Sequence, residues 1–119
     1  MAKKILIADD DNAISEALEN KLNSSGYIAK VVRDGDAAIK ALENGHYDLL
    51  LLDLMMPKVD GYGVLENMKK RNDQTIVVVL SNLGQEEEKN KVLALGAKDF
   101  IVKSSTKIGD VVERIESYL

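Results

Sequence analysis

The chain has 119 residues, of which 45% are apolar and 30% charged, with a net charge of −4 and no cysteine. That length fits a single domain, read here as residues 1–119, which buries roughly 65% of the surface its unfolded chain would expose. Disulfides, thiolate zinc sites and thiol redox chemistry are excluded, and an acidic balance without a basic cluster argues against nucleic-acid binding by this chain.

Met1-Ala2-Lys3-Lys4 runs straight into the apolar Ile5 to Ala8, without the long apolar stretch of a signal peptide. Such short continuous runs suit strands buried on both faces. Three acids follow, Asp9, Asp10 and Asp11. Ile14, Ala17, Leu18 and Leu22 then recur at helical spacing. Asp11 or Asn12 reads as the N-cap, and Gly26 as a positive-φ helix end. Ile28 to Val32 is a weaker strand in which Lys30 marks an edge position. Ala38, Ala41 and Leu42 form a second helical stripe, with Gly45 expected to end it as Gly26 ends the first.

Leu49 to Leu52 is another apolar strand, and it ends on Asp53. The longest apolar run, Leu49 to Met56, is interrupted by that aspartate and is too short to span a bilayer. Pro57 and Gly61 read as turn residues, since proline presets φ and glycine accepts positive φ. Val64, Leu65 and Met68 mark a third helix, and Ile76 to Leu80 a strand followed by Ser81. Glu86, Glu87 and Glu88 suit the first turn of a fourth helix, where the macrodipole favours negative charge. Val92 and Leu95, with Leu93 beside them, give its stripe, and Gly96 its end. Phe100 to Val102 precedes Lys103, and Ile108, Val111, Val112 and Ile115 form the clearest helical stripe.

Five strands alternating with five helices predict a doubly wound α/β fold, with a parallel sheet covered by helices on both faces. The residues that follow the strands then share the carboxyl edge, where ligand sites of such sheets lie. Those residues are Asp9 to Asp11, Asp53, Ser81 and Lys103. Converging carboxylates repel unless a cation binds between them, and an all-oxygen set suits Mg²⁺. An aspartate at the end of an apolar strand needs a partner, which a cation and a lysine supply. Read singly, Lys103 would snorkel to solvent and the lone phenylalanine, Phe100, would be core. Together the set suits a carboxylate nucleophile for phosphoryl transfer, where catalysis is mostly positioning and charge neutralisation. His46, in a loop with no second histidine or cysteine nearby, reads as a surface residue.

At these positions the sequence resembles the receiver domains of two-component response regulators. The resemblance rests on Ile-Leu-Ile-Ala-Asp-Asp-Asp at 5 to 11, Asp-Leu-Met-Met-Pro-Lys-Val-Asp-Gly at 53 to 61, Ser81, and Phe-Ile-Val-Lys at 100 to 103, and it covers the whole chain. It implies the sheet order 2-1-3-4-5, with Asp53 as phosphoacceptor. It implies Mg²⁺ (or Mn²⁺) bound by Asp10, Asp53 and the Met55 backbone carbonyl, with Asp9 acting through a metal-bound water. Lys103 takes the place of the family's lysine, Ser81 of its switch hydroxyl and Phe100 of its switch aromatic. The donor would be a phosphohistidine on a histidine kinase or phosphotransfer protein, and the output a protein effector contacting the fourth helix, fifth strand and fifth helix. The expected setting is cytoplasmic, without nucleic acid or membrane, and the domain is not expected to be a turnover enzyme.

Three positions depart from the family pattern. Ser104 stands where proline usually follows the lysine, so a rearranged loop is expected, because a cis bond without proline costs about 3 kcal/mol. Asn82 is larger than the usual residue after the hydroxyl and would narrow the mouth. Met55 and Leu83 offer no strong side-chain hydrogen bond to an attacking water, which predicts slow self-dephosphorylation. Other classes fit less well. A haloacid-dehalogenase-type phosphatase expects an acid where Met55 stands, and Asp9 to Asp11 would repel a flavin phosphate. The remaining rival is a pseudo-receiver, folded but not phosphorylated, acting as an interaction module.

Overall fold

The computed structural model of the chain describes residues 2–82 and 84–119. Leu83 lies outside the described residues. The elements run β1 (Lys4–Ala8), α1 (Asn12–Ser24), β2 (Ile28–Val32), α2 (Gly35–Asn44), β3 (Leu49–Leu52), α3 (Gly61–Lys70), β4 (Ile76–Ser81), α4 (Glu86–Ala94), β5 (Asp99–Val102), a short 3₁₀ helix (Lys103–Ser105) and α5 (Ile108–Glu116). The strands form one parallel sheet in the order β2-β1-β3-β4-β5. No described helix is long and apolar enough to cross a membrane.

Strand alternation divides the core into two layers. Leu6, Ala8, Leu50, Leu52, Val77 and Val79 face one side, joined by Val64, Leu65 and Met68 of α3 and by Val92 of α4. Ile5, Ile7, Leu49, Leu51, Val78 and Leu80 face the other, joined by Leu18 and Leu22 of α1 and by Val111, Val112 and Ile115 of α5. All four Leu49 to Leu52 side chains are buried, each stabilising the fold by roughly 1.5–3 kcal/mol. A strand this apolar on both faces fits only the centre of a covered parallel sheet. β2, with exposed Lys30, takes an edge.

Three local expectations are corrected. Ala17 is exposed, and Ser15 takes the buried place on α1. Ser15 Oγ donates to the Asn12 carbonyl at 3.2 Å and accepts from Arg33 Nη1 at 2.9 Å, so a hydroxyl is satisfied where an alanine was expected. Gly26 and Gly96 do adopt positive φ, whereas Gly45 is extended at φ −149°. The left-handed residue of the β3–α3 loop is Lys58, at φ 68°, rather than Gly61. Gly61 opens α3, and its requirement is space: a Cβ there would lie 2.6 Å from the Asp53 carbonyl oxygen. After β5 the chain turns through the 3₁₀ helix, with no cis peptide among the described residues.

Candidate functional site

The site forms where β1, β3, β4 and β5 end together. The Asp53 N–H donates to the Ala8 carbonyl at 2.9 Å, extending the β1–β3 ladder one step and setting Asp53 beside the β1 acids. Asp11 is consumed by the helix. Its carboxylate accepts from the Ile14 N–H at 3.2 Å, as an N-cap does. Its own N–H donates to Asp9 Oδ1 at 2.9 Å, which fixes the Asp9 side chain. Asp53 Oδ1 accepts from the Met55 N–H at 3.3 Å.

Asp9 and Asp53 are 2% and 5% exposed, while Asp10 faces solvent. Lys103 does not snorkel outward. Its side chain is 4% exposed, and its Nζ lies 2.8 Å from Asp9 Oδ2, 2.9 Å from Asp9 Oδ1 and 3.1 Å from Asp53 Oδ2. Burial pushes the Asp9 carboxyl up to about 6, although Lys103 and the Asp11 N–H pull the other way. Burial alone would lower Lys103, but hydrogen bonds and charge from Asp9 and Asp53 outweigh it and raise the ammonium above its ordinary value.

This donor set fits a hard dication. Asp9, Asp10 and Asp53 each offer a carboxylate oxygen within 4.8 Å of the others. Three carboxylates against one ammonium leave two negative charges, and an all-oxygen set is what Mg²⁺ takes.

Ser81, 1% exposed, is the last residue of β4 and so stands on the same edge. Phe100 packs inside the α3–α4 layer of the core. Met55 is 61% exposed at the mouth, where Asn82 and Ser104 are exposed too. A groove of about 670 Å³ opens beside Asp10, walled by Met55, Met56, Pro57 and Tyr62, with Asp60 on its rim. His46 is 83% exposed and pairs with Asp48 at 3.3 Å, far from any nucleophilic role.

Two features escaped the sequence reading. Asp60 caps α3 by accepting from the Gly63 N–H at 2.9 Å. An aspartate just before a helical stripe is the signal that would have found it. Tyr62 of α3 donates its hydroxyl to Glu88 of α4, and Lys91 lies 5.8 Å from the Tyr62 ring centroid. Nothing local in the sequence pairs those helices.

A sheet of order 2-1-3-4-5 carrying acids, a buried lysine and a hydroxyl on its carboxyl edge defines an aspartate-centred receiver fold. The chain belongs to the response regulator receiver domain family, whose model matches residues 5–116. It is 37% identical over 122 residues to a probable transcriptional regulator, ycf27, of Galdieria sulphuraria, covering 98% of this chain and 48% of that protein. It is 35% identical over 100 residues to the transcriptional regulatory protein DltR of Streptococcus agalactiae, covering 84% of this chain and 45% of that protein. The chain thus spans about half the length of the curated relatives it matches. The receiver domain of a Francisella response regulator superposes with a TM-score of 0.91 at 32% identity, over 98% of this chain and 95% of that one. The CheY of a CheX–CheY–BeF₃–Mg²⁺ complex from Borrelia burgdorferi gives 0.88 at 32% identity, over 97% and 87%.

Proposed function

We propose that this domain is a phosphorylatable switch of a two-component or phosphorelay system, with Asp53 taking a phosphoryl group from a phosphohistidine on a histidine kinase or phosphotransfer protein. The observation that carries this reading is the setting of the Asp53 carboxylate. It closes a wholly apolar strand, has Lys103 Nζ at 3.1 Å, and shares a cation-sized cluster with Asp9 and Asp10. Its Borrelia relative is described with Mg²⁺ and BeF₃, and a Thermotoga maritima response regulator, 27% identical, with Mg²⁺ and BeF.

The chemistry is a displacement at phosphorus. An Asp53 oxygen forms the new P–O bond while the P–N bond to the donor imidazole breaks. The imidazole nitrogen leaves with that electron pair and takes a proton from water. The Met55 N–H, which holds Asp53 Oδ1, orients the carboxylate. Lys103 passes from Asp53 Oδ2 to a phosphoryl oxygen, and the Ser81 hydroxyl donates to another. Asp10, Asp53 and the Met55 carbonyl would hold Mg²⁺ (or Mn²⁺), with Asp9 acting through water, and the bound ion supplies charge neutralisation at the phosphoryl oxygens.

The product is a signal rather than a released compound, so the domain acts in the cytoplasm as a switch and not as a turnover enzyme. Movement of Ser81 and Phe100 shifts a two-state equilibrium of the α4–β5–α5 face toward a protein effector. The phosphoryl group decays slowly, because the Met55 side chain cannot align a water. Met55→Asn is expected to speed that decay.

The test is incubation with acetyl phosphate, with Mg²⁺ or with chelator, read by intact mass. A Mg²⁺-dependent gain of one phosphoryl group, absent in Asp53→Asn, is expected. No gain from acetyl phosphate or from a panel of histidine kinases would make the pseudo-receiver the better reading.

A further inference from the structure

The loop from Asp53 to Asp60 carries the Met55 carbonyl, yet much of what holds it lies outside it. Val59 is the half-buried residue of this loop and packs on the core. A Cβ built on Gly35, in the first turn of α2, would lie 1.9 Å from the Val59 carbonyl oxygen and 2.7 Å from Val59 Cβ. A Cβ built on Gly63, in the first turn of α3, would lie 2.6 Å from Val59 Cγ1. Ordinary contacts begin near 3.4 Å, so neither position has room for a side chain. Val59 therefore sits in a slot whose walls are the bare backbones of two helices.

The loop is over-determined in other ways as well. The Gly61 N–H donates to the Leu54 carbonyl at 2.9 Å, and the Val59 N–H to the Pro57 carbonyl at 2.9 Å. Lys58 is left-handed at φ 68° without being glycine. Such strain persists only where the surroundings fix the backbone.

We infer that Gly35 and Gly63 are positioning residues for the cation and phosphoryl site, acting through Val59 on the loop that presents the Met55 carbonyl. What that loop presents rests on the proposed function; the clamp itself rests on the contacts above. An alanine at position 35 meets a backbone carbonyl, so the whole loop must move by more than an ångström. A metal site tolerates displacements of only about 0.2 Å. An alanine at position 63 meets one methyl of a side chain, which a smaller residue at position 59 relieves.

That asymmetry gives the test. Mg²⁺ affinity is measured by calorimetry, and amide hydrogen exchange across residues 54–61 is measured in metal-free protein. Gly35→Ala and Gly63→Ala are each expected to weaken Mg²⁺ binding about tenfold or more, the usual effect of disturbing a ligand's support, and to speed exchange in the loop. Adding Val59→Ala restores both readouts for Gly63→Ala but not for Gly35→Ala. A merely structural role predicts otherwise for Gly63→Ala: the contact with Val59 lowers stability, while the folded protein binds Mg²⁺ as the parent does. The inference is overturned if Gly63→Ala binds Mg²⁺ as tightly as the parent, or if Val59→Ala fails to rescue it. Should Gly35→Ala not fold, the Gly63→Ala pair carries the test alone. Should the parent bind no Mg²⁺, it is the proposed function that fails. The clamp is then decided by loop exchange, and unchanged exchange in Gly63→Ala overturns it.

Discussion

The two walls of the acidic site are built very differently. On one side, the β3–α3 loop is pinned by backbone contacts, and α3 buries Val64, Leu65 and Met68 beneath an Asp60 cap. On the other, α4 buries Val92 alone, and its N-cap, Gln85, makes no side-chain cap hydrogen bond. Its first turn carries three glutamates, of which Glu86 and Glu87 are exposed and Glu88 is half-buried. Elements with few buried apolar contacts open at lower free energy than the core. In the switch proposed above, a rigid wall would hold the cation and the acceptor carboxylate, and a loosely held helix would report what happens to them.

The strongest way to break this comparison is to remove the cation that ties β5 to β1 and β3. Lys103→Met leaves Asp9 and Asp53 buried and unpaired, and is expected to cost about 3–5 kcal/mol in urea denaturation at neutral pH with chelator. A loss below about 1 kcal/mol, the worth of a surface pair, would mean that solvent already reaches both carboxylates. Next in size is a matched pair of truncations. Leu65 of α3 is 2% exposed and Leu93 of α4 is 38% exposed. Leu65→Ala is expected to cost about 2–5 kcal/mol, and Leu93→Ala at most about 0.5 kcal/mol. Equal losses would erase the distinction between the walls.

The sequence made the rigid parts of this picture readable and hid the contacts between them. Continuous apolar runs found the strands, because a doubly covered strand has no solvent face to alternate with. Asp53 stood out because a carboxylate at the end of such a run needs a partner, and Lys103 only because it shares an edge with the acids and the hydroxyl. The lysine's own partner, two carboxylates on β1 and β3, follows only from strand order, which came from the resemblance and not from hydrophobic periodicity. Ala17 and Ser15 were exchanged because the stripe was read from apolar residues alone; Ser15 lies three before Leu18 and seven before Leu22, on their face, and its hydroxyl is satisfied by Asn12 and Arg33. Gly61 looked like a turn residue, and Gly35 and Gly63 gave no signal at all. Their role is lack of a Cβ at close approaches between distant segments, and no local pattern encodes that.

A smaller test addresses what holds α4 at all. Burial, together with the Glu88 carboxylate, pushes the Tyr62 hydroxyl up to about 12, so it remains a donor across the neutral range. Tyr62→Phe removes the link to Glu88 and keeps the ring under Lys91. The expected cost is about 1 kcal/mol. The informative readout is hydrogen exchange, which should quicken in α4 and stay unchanged in α3. Faster exchange in both helices would show that the tyrosine braces the rigid wall rather than the mobile one.

The smallest expected effect asks whether α5 moves with α4 or stands apart from it. Burial would raise the Asp99 carboxyl. Hydrogen bonds from Arg114 at 2.6–2.9 Å, from the Phe100 N–H at 2.8 Å and from the Tyr118 hydroxyl at 3.0 Å outweigh it and hold the group below its ordinary value. The folded state therefore releases this proton more readily than the unfolded chain. Its stabilisation is present above the ordinary carboxylate value of about 3.9 and is lost as pH falls through the lower folded value. Arg114 is 50% exposed, so solvent screens the pair, and Arg114→Ala is expected to cost only about 0.2–1 kcal/mol at neutral pH. Asp99→Asn should flatten the acid limb of the stability curve between those two values. In neither variant should α4 amides exchange faster, because this tie joins α5 to β5 and bypasses α4. If α4 loosens along with α5, the boundary between the site's rigid and mobile parts runs between β4 and β5, and α4 is not the separately mobile element.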